Sequence, residues 1–299
     1  MPKRLPALLL ALALVFSGQP AAAQAAGTGS VIRERQRFVS PALGREMAYC
    51  LYLPPGFDPK GGPYPVVYLL HGVGDDDSVW PLEGKVQETA DRLIGEGALP
   101  ASIIVMPDGK TSWYVDSAEV GGPGNYDTAI DRDLVGMIDA TLPTIARQQG
   151  RAIAGVSMGG YGALRFALRQ PHRYAAVAAL SPALWLRVKP GFAVDEQRMA
   201  RVFRGSFGQP FSVERFLQAS PVNEIKTLAG DAERPSIMLA IGTAETFSPA
   251  DTEAFRDMLA AAGVPARLTR AEGNHNWAFW SAELDEVLRA FGREFARQR

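Results

Sequence analysis

Short apolar runs alternate with amphipathic stretches along most of the chain. Residues 31–39 and 45–53 alternate at period two and read as strands joined by a turn at Pro41 to Gly44, the second stopped by Pro54-Pro55-Gly56. Residues 64–70, 102–106, 152–156, 174–180 and 236–241 are apolar almost throughout, as strands covered on both faces are, and 266–270 adds another. Helical periodicity falls between them, at roughly 83–94, 126–146, 159–168, 251–262 and 282–297. Strands alternating with helices predict an α/β fold: a mostly parallel central sheet with helices on both faces, as one domain over residues 31–299. In such sheets ligands gather beyond the carboxyl ends of the strands. His71-Gly72, Pro107-Asp108, Ser157, Gly242 to Glu245 and His275 all fall there.

The first residues stand outside this pattern. Lys3 and Arg4 precede an apolar core from Leu5 to Phe16, and Ala21-Ala22-Ala23 offers a small-residue cleavage site before Gln24. This predicts a secretory signal peptide over residues 1–23, a flexible leader over 24–30, and a periplasmic or secreted mature protein with no integral membrane segment. Composition adds exclusions. With 47% apolar residues, 21% charged and a net charge of −1, the chain has ordinary globular make-up and no basic run for nucleic acid or anionic lipid. Its single cysteine, Cys50, cannot form an intrachain disulfide or a cysteine-zinc cluster, and its alternating apolar setting reads as buried core.

The chemistry concentrates at Gly155-Val-Ser157-Met-Gly159. An apolar strand precedes it and helix formers follow, which is the context a nucleophile elbow requires. A serine on that sharp turn projects its hydroxyl clear of the sheet, and the flanking glycines let strand and helix pass closely. The plainer alternative is a glycine-rich turn with a capping serine. Three histidines are candidates for the base. His172 lies in a turn between helix and strand, His71 precedes the serine, and His275 comes last, on a loop before the final helix. The order serine, acid, histidine favours His275. Glu245 and Asp251 lie where the acid belongs. Ser248-Pro-Ala-Asp251 reads as a capping box, which accounts for Asp251 and leaves Glu245 as the favoured acid. The amides of Met158, after the nucleophile, and Val73, in the loop after an early strand, are the expected oxyanion donors.

With these pieces in hand, the chain resembles the esterase group of α/β hydrolases that includes S-formylglutathione hydrolases, feruloyl and acetyl-xylan esterases and secreted mycolyltransferases. The matching segments are YLLHGVGDDDSVW (68–80), IVMPDG (104–109), GVSMGGYGAL (155–164), ALSPAL (179–184), GTAETF (242–247) and GNHNWAFW (273–280). The resemblance implies an α/β-hydrolase fold with Ser157 as nucleophile, His275 as base and Glu245 as acid, where members of the group often carry aspartate. It implies a serine esterase needing no metal or organic cofactor and acting on small-molecule or polysaccharide-linked esters. An acyltransferase with the same triad and a non-catalytic binding protein are the competing readings. Trp113, Tyr114 and Asp116 follow a strand end; they line the cleft or stabilise their own loop. Trp185 opens the long segment 181–235, expected to form helices over the site and shape its pocket.

Overall fold

The computed structural model describes residues 29–297, so the predicted signal peptide and most of the predicted leader lie outside the described residues. Eight strands form one sheet in the order β1-β2-β4-β3-β5-β6-β7-β8: β1 Val31–Ser40, β2 Arg45–Leu53, β3 Val66–Leu70, β4 Ile103–Pro107, β5 Arg151–Val156, β6 Ala176–Leu180, β7 Ser236–Gly242 and β8 Ala266–Ala271. β1 and β2 pair antiparallel, as do β2 and β4, and every later pairing is parallel. β3 to β6 are buried at every position, which is why they read as continuous apolar runs. Their residues divide by parity between two apolar layers. Tyr68, Leu70, Ile153 and Val177 face one layer, and Val67, Leu69, Ala154 and Ala178 face the other.

Helices cover both faces. α1 (Val79–Leu82) and α2 (Val86–Gly95) follow β3, and α3 (Tyr126–Thr128) and α4 (Val135–Thr141) follow β4 with a π-helical stretch between them. α5 (Met158–Arg169) follows β5 directly. α6 (Glu196–Phe203), α7 (Val213–Gln218) and a 3-10 stretch at Pro221–Leu228 lie between β6 and β7, then α8 (Pro249–Ala261) and α9 (Trp277–Arg297) close the order. The long helix expected over 126–146 ends at Thr141, because Leu142 is extended ahead of Pro143. The helix expected from residue 83 begins at Val86, after a left-handed Lys85.

The register decides what can meet. Leu70 pairs with Gly155, Val156 with Leu180, Leu180 with Ala240 and Gly242 with Ala271. The carboxyl ends of β3, β5, β6, β7 and β8 therefore stand side by side, and the five loops they launch share one rim. Strand order also reverses around β3, which opens a crevice at that edge. The turn after β5 is close-packed: a Cβ on Gly155 would lie 2.2 Å from the Gly159 carbonyl oxygen, and one on Gly159 2.3 Å from that of Leu70. Backbone meets backbone at both places, so no side chain can yield. Gly159→Ala is expected to destabilise the fold by about 3 kcal/mol, as overpacking does. Urea midpoints of the two proteins check this, and an unchanged midpoint would contradict it.

Candidate active site

Ser157 joins β5 to α5 with φ 54° and ψ −114°, a backbone conformation that costs a non-glycine residue about 1–3 kcal/mol. Its surroundings hold it there. The Ser157 amide donates to Leu180 O (2.9 Å), and its carbonyl accepts from Tyr161 N (3.1 Å) and Ala183 N (3.0 Å). The side chain is left to face the rim, and His275 Nε2 lies 2.9 Å from Ser157 Oγ. The other ring nitrogen, Nδ1, lies 2.7 Å from Glu245 Oε1. Since the carboxylate can only accept, Nδ1 carries the proton and Nε2 presents its lone pair to the serine hydroxyl. The two loops are registered on each other: β7–β8 pairing continues in Thr243 N→Ala271 O and Ala244 N→Gly273 O, each 2.9 Å. His275 is also held edge-on between Phe247 and Trp280, each with its ring centroid 5.0 Å away.

Glu245 is only 6% exposed. Burial pushes its carboxyl up, but hydrogen bonds from His275, Ser248 and Ser181 outweigh this and leave it below the usual glutamate range. Ser248 Oγ donates to Oε1 (2.5 Å), Ser181 Oγ to Oε2 (2.8 Å) and Gly242 N to Oε2 (3.3 Å). Trp280 Nε1 in turn donates to Ser181 Oγ (3.0 Å), fixing which way that hydroxyl points. A carboxyl lowered on folding stabilises the fold above the ordinary glutamate range, and this contribution is lost as the pH falls through the folded value. Ser248→Ala should therefore cost about 2 kcal/mol near pH 7 and less near pH 4, below the ordinary glutamate range, where this contribution is being lost. Urea melts at the two pH values check this; an equal loss at both would contradict it.

Several expectations change. Ser248 gives its hydroxyl to Glu245 and does not cap α8, so the capping box does not form. Asp251 instead accepts from Leu186 N at 3.1 Å and does not reach His275. Tyr114 does not line the cleft. It is fully buried, with its hydroxyl donating to His71 O (2.9 Å), while Asp116 turns away to bind Thr128. Trp113 and Tyr114 are both left-handed, at φ 53° and 54°, which sends the first ring to the cleft and the second into the core. His71 is buried and faces loop backbone. Gly109 N donates to its Nε2 (2.9 Å), so the proton sits on Nδ1, which lies 2.8 Å from Gly72 O. Burial holds this imidazole below its usual range, so the nearby Asp108 carboxylate does not make a charged pair with it. His71 thus ties the loop after β3 to the loop after β4. His172 lies at the surface between Asp231 and Glu233. Cys50 is fully buried, and burial pushes its thiol up to about 12.

Gly72 lies against the serine, where a Cβ on it would be 3.7 Å from Ser157 Cβ, and Val73 lines the same cavity as Ser157. Among the described residues, the loop hydrogen bonds leave the Val73 and Met158 amides without an acceptor. Met158 opens α5, whose first amides and macrodipole point at the serine. A cavity of about 460 Å³ opens over Ser157 and His275, walled by Trp113, Ala183, Trp185, Val202 and Phe247, with Val73, Arg198 and Arg201 at its mouth. Trp113 donates to Val202 O (3.0 Å) and packs on Phe203, which ties this wall to α6. A larger cleft of about 810 Å³ lies at the opposite ends of β7 and β8, among Arg234, Arg267 and Glu294; its one serine, Ser236, donates to Glu294 (3.1 Å), and no histidine lines it. No group of three or more His, Cys, Asp or Glu is placed to hold a metal among the described residues.

Ser181, Trp280 and the arginines of α6 were not singled out from sequence, and Ser248 was read only as a helix cap. Ser181 had one signal, a polar residue at the end of a buried strand, left-handed here at φ 46°. A family model described as "Putative esterase" matches residues 40–291. An esterase of Mycobacterium tuberculosis strain H37Rv is 30% identical over 260 residues, 80% of this chain and 54% of its own length. An endo-1,4-beta-xylanase/feruloyl esterase of Xylanibacter ruminicola is 32% identical over 179 residues, 56% of this chain and 23% of its own. The chain therefore spans about half or less of these curated relatives. Among solved structures, a ferulic acid esterase superposes with TM-score 0.74 at 25% identity, covering 89% of this chain and 98% of the other. An S-formylglutathione hydrolase from Staphylococcus aureus superposes with TM-score 0.67 at 20% identity, covering 88% and 98%.

Proposed function

Because the chain belongs to this esterase family, by a match over most of its length, we propose that it is a serine esterase that cleaves carboxylic esters through an acyl-enzyme. One observation carries the reading: the unbroken hydrogen-bond chain Ser157–His275–Glu245, opening into an apolar cavity.

Ser157 Oγ attacks the ester carbonyl carbon while His275 Nε2 takes its proton. Negative charge builds on the carbonyl oxygen, where the amides of Val73 and Met158 stabilise it more than in the ground state. Glu245 stays ionised, keeps the proton on Nδ1 and stabilises the imidazolium. His275 then protonates the departing alkoxide, so the alcohol leaves and Ser157 holds the acyl group. Water attacks the acyl carbonyl next, giving its proton to the same nitrogen; the bond to Oγ breaks, His275 returns the proton to Ser157, and the acid departs. Feruloyl and acetyl esters are the candidate substrates, a reading supported by relatives named feruloyl esterase and acetyl esterase. The residue pattern at 1–23 extends the proposal to an exported enzyme. Among the described residues no helix is long and apolar enough to cross a membrane.

Turnover of 4-nitrophenyl acetate and butyrate, followed for both acid and alcohol products, tests the reading. Stoichiometric free acid is expected. Acyl transfer to an added sugar in preference to water would replace hydrolase with acyltransferase, and no release above background would overturn the reading.

A further inference from the structure

The segment that roofs the cavity is cationic in a nearly neutral protein. Residues 181–211 carry five cationic side chains, Arg187, Lys189, Arg198, Arg201 and Arg204, against two carboxylates, Asp195 and Glu196. Both carboxylates are engaged by backbone. Asp195 caps α6 by accepting from Arg198 N (3.1 Å), and Glu196 accepts from Phe211 N (3.0 Å). The acids that reach this roof from neighbouring elements are occupied too: Asp251 takes Leu186 N, and Glu245 is held by His275 and two serines. Among the described residues, neither Arg198 nor Arg201 lies within ion-pair distance of a carboxylate, whereas Arg215 of the adjacent α7 pairs with Glu119. Arg187 and Arg198 lie instead over the Trp185 ring, 4.4 and 5.4 Å from its centroid.

Arg198 and Arg201 therefore stand over a cavity whose other walls are mainly apolar, with donors directed at no protein acceptor. Guanidinium donors are suited to bidentate binding of a carboxylate, and a low-dielectric wall strengthens such a contact. We propose that the preferred substrates are esters with an apolar body that also bear a carboxylate, held at the mouth by Arg198 and Arg201. The inference rests on the esterase reading above and deepens it.

Two probe pairs test it. 4-Nitrophenyl hydrogen glutarate against 4-nitrophenyl butyrate places the carboxylate on the acyl side. 4-Acetoxybenzoate against phenyl acetate places it on the alcohol side. In at least one pair the anionic member is expected to have a kcat/KM about tenfold higher, mainly through KM. That preference should vanish in Arg198→Gln/Arg201→Gln, survive in part in the double lysine variant, and shrink between about 20 mM and 500 mM salt. Equal or better turnover of the neutral member in both pairs, or a preference unchanged in the glutamine variant, would overturn it. Calorimetric titration of Ser157→Ala with 4-acetoxybenzoate and with 4-nitrophenyl hydrogen glutarate, with and without the two glutamine substitutions, reads binding without turnover. Binding of either ligand weakened about tenfold by the substitutions upholds the anion site even if no ester is cleaved; identical or undetectable binding of both ligands in both proteins overturns it.

Discussion

Ser157→Ala should lower kcat for 4-nitrophenyl butyrate by about 10⁵-fold while leaving the fold intact. The size follows from what the hydroxyl does. Without Oγ there is no acyl-enzyme, and His275 and the amides at Val73 and Met158 are left to act on a bound ester with water alone, so a residual rate above the uncatalysed one should persist. Stability should change little or rise, because the strained backbone at φ 54° is held by Leu180, Tyr161 and Ala183 and not by the side chain. Initial rates of the purified variant, beside a melt, check both parts. A loss of tenfold or less would mean that another group is the nucleophile.

The second large effect is at the acid. Glu245→Gln is expected to reduce kcat about 10⁴-fold with KM almost unchanged. The amide nitrogen of glutamine can donate to Nδ1, which places the imidazole proton on Nε2, where it faces Ser157 and cannot take the hydroxyl proton. Ser181 and the Gly242 amide donate to Oε2, so they favour the glutamine oxygen there and its nitrogen at the Oε1 position toward the ring, where Ser248 must turn its hydroxyl to accept. Asp251→Asn is expected to stay within about threefold of wild type, since Asp251 supports only the Leu186 amide. The reverse pattern, with Asp251→Asn inactive and Glu245→Gln active, would reassign the acid. The losses should not add: Ser157→Ala/Glu245→Gln should be about as slow as Ser157→Ala alone, because the residues act as a unit.

Sequence revealed the parts of this molecule that repeat a local rule. The buried strands are apolar at every position, so β3 to β6 were legible with ends displaced by one or two residues. The elbow was legible because a Cβ on either of its glycines would lie under 2.5 Å from backbone, a space only glycine fits. What sequence hid was set by tertiary competition for a few polar atoms. Ser248, Pro249 and Asp251 have the spelling of a capping box, yet a buried carboxylate is a stronger acceptor than a helix end is a donor set, and Ser248 turned to Glu245. Tyr114 follows Trp113 on one loop, and only the two left-handed residues in succession decide which ring meets the cavity. Ser181 and Trp280 meet Glu245 from positions far apart in the chain. No periodicity records such a contact. The free guanidinia of α6 were equally invisible, because composition counts Asp195 and Glu196 as their partners while the structure gives both acids to amides.

The central claim is that Ser157 is the covalent nucleophile. The most direct test is the intact mass of the protein after treatment with a fluorophosphonate, followed by peptide mapping, with Ser157→Ala alongside. The account predicts one stoichiometric adduct, located at Ser157 and absent from the variant. No adduct on the wild-type protein, or one that persists in Ser157→Ala, would contradict it.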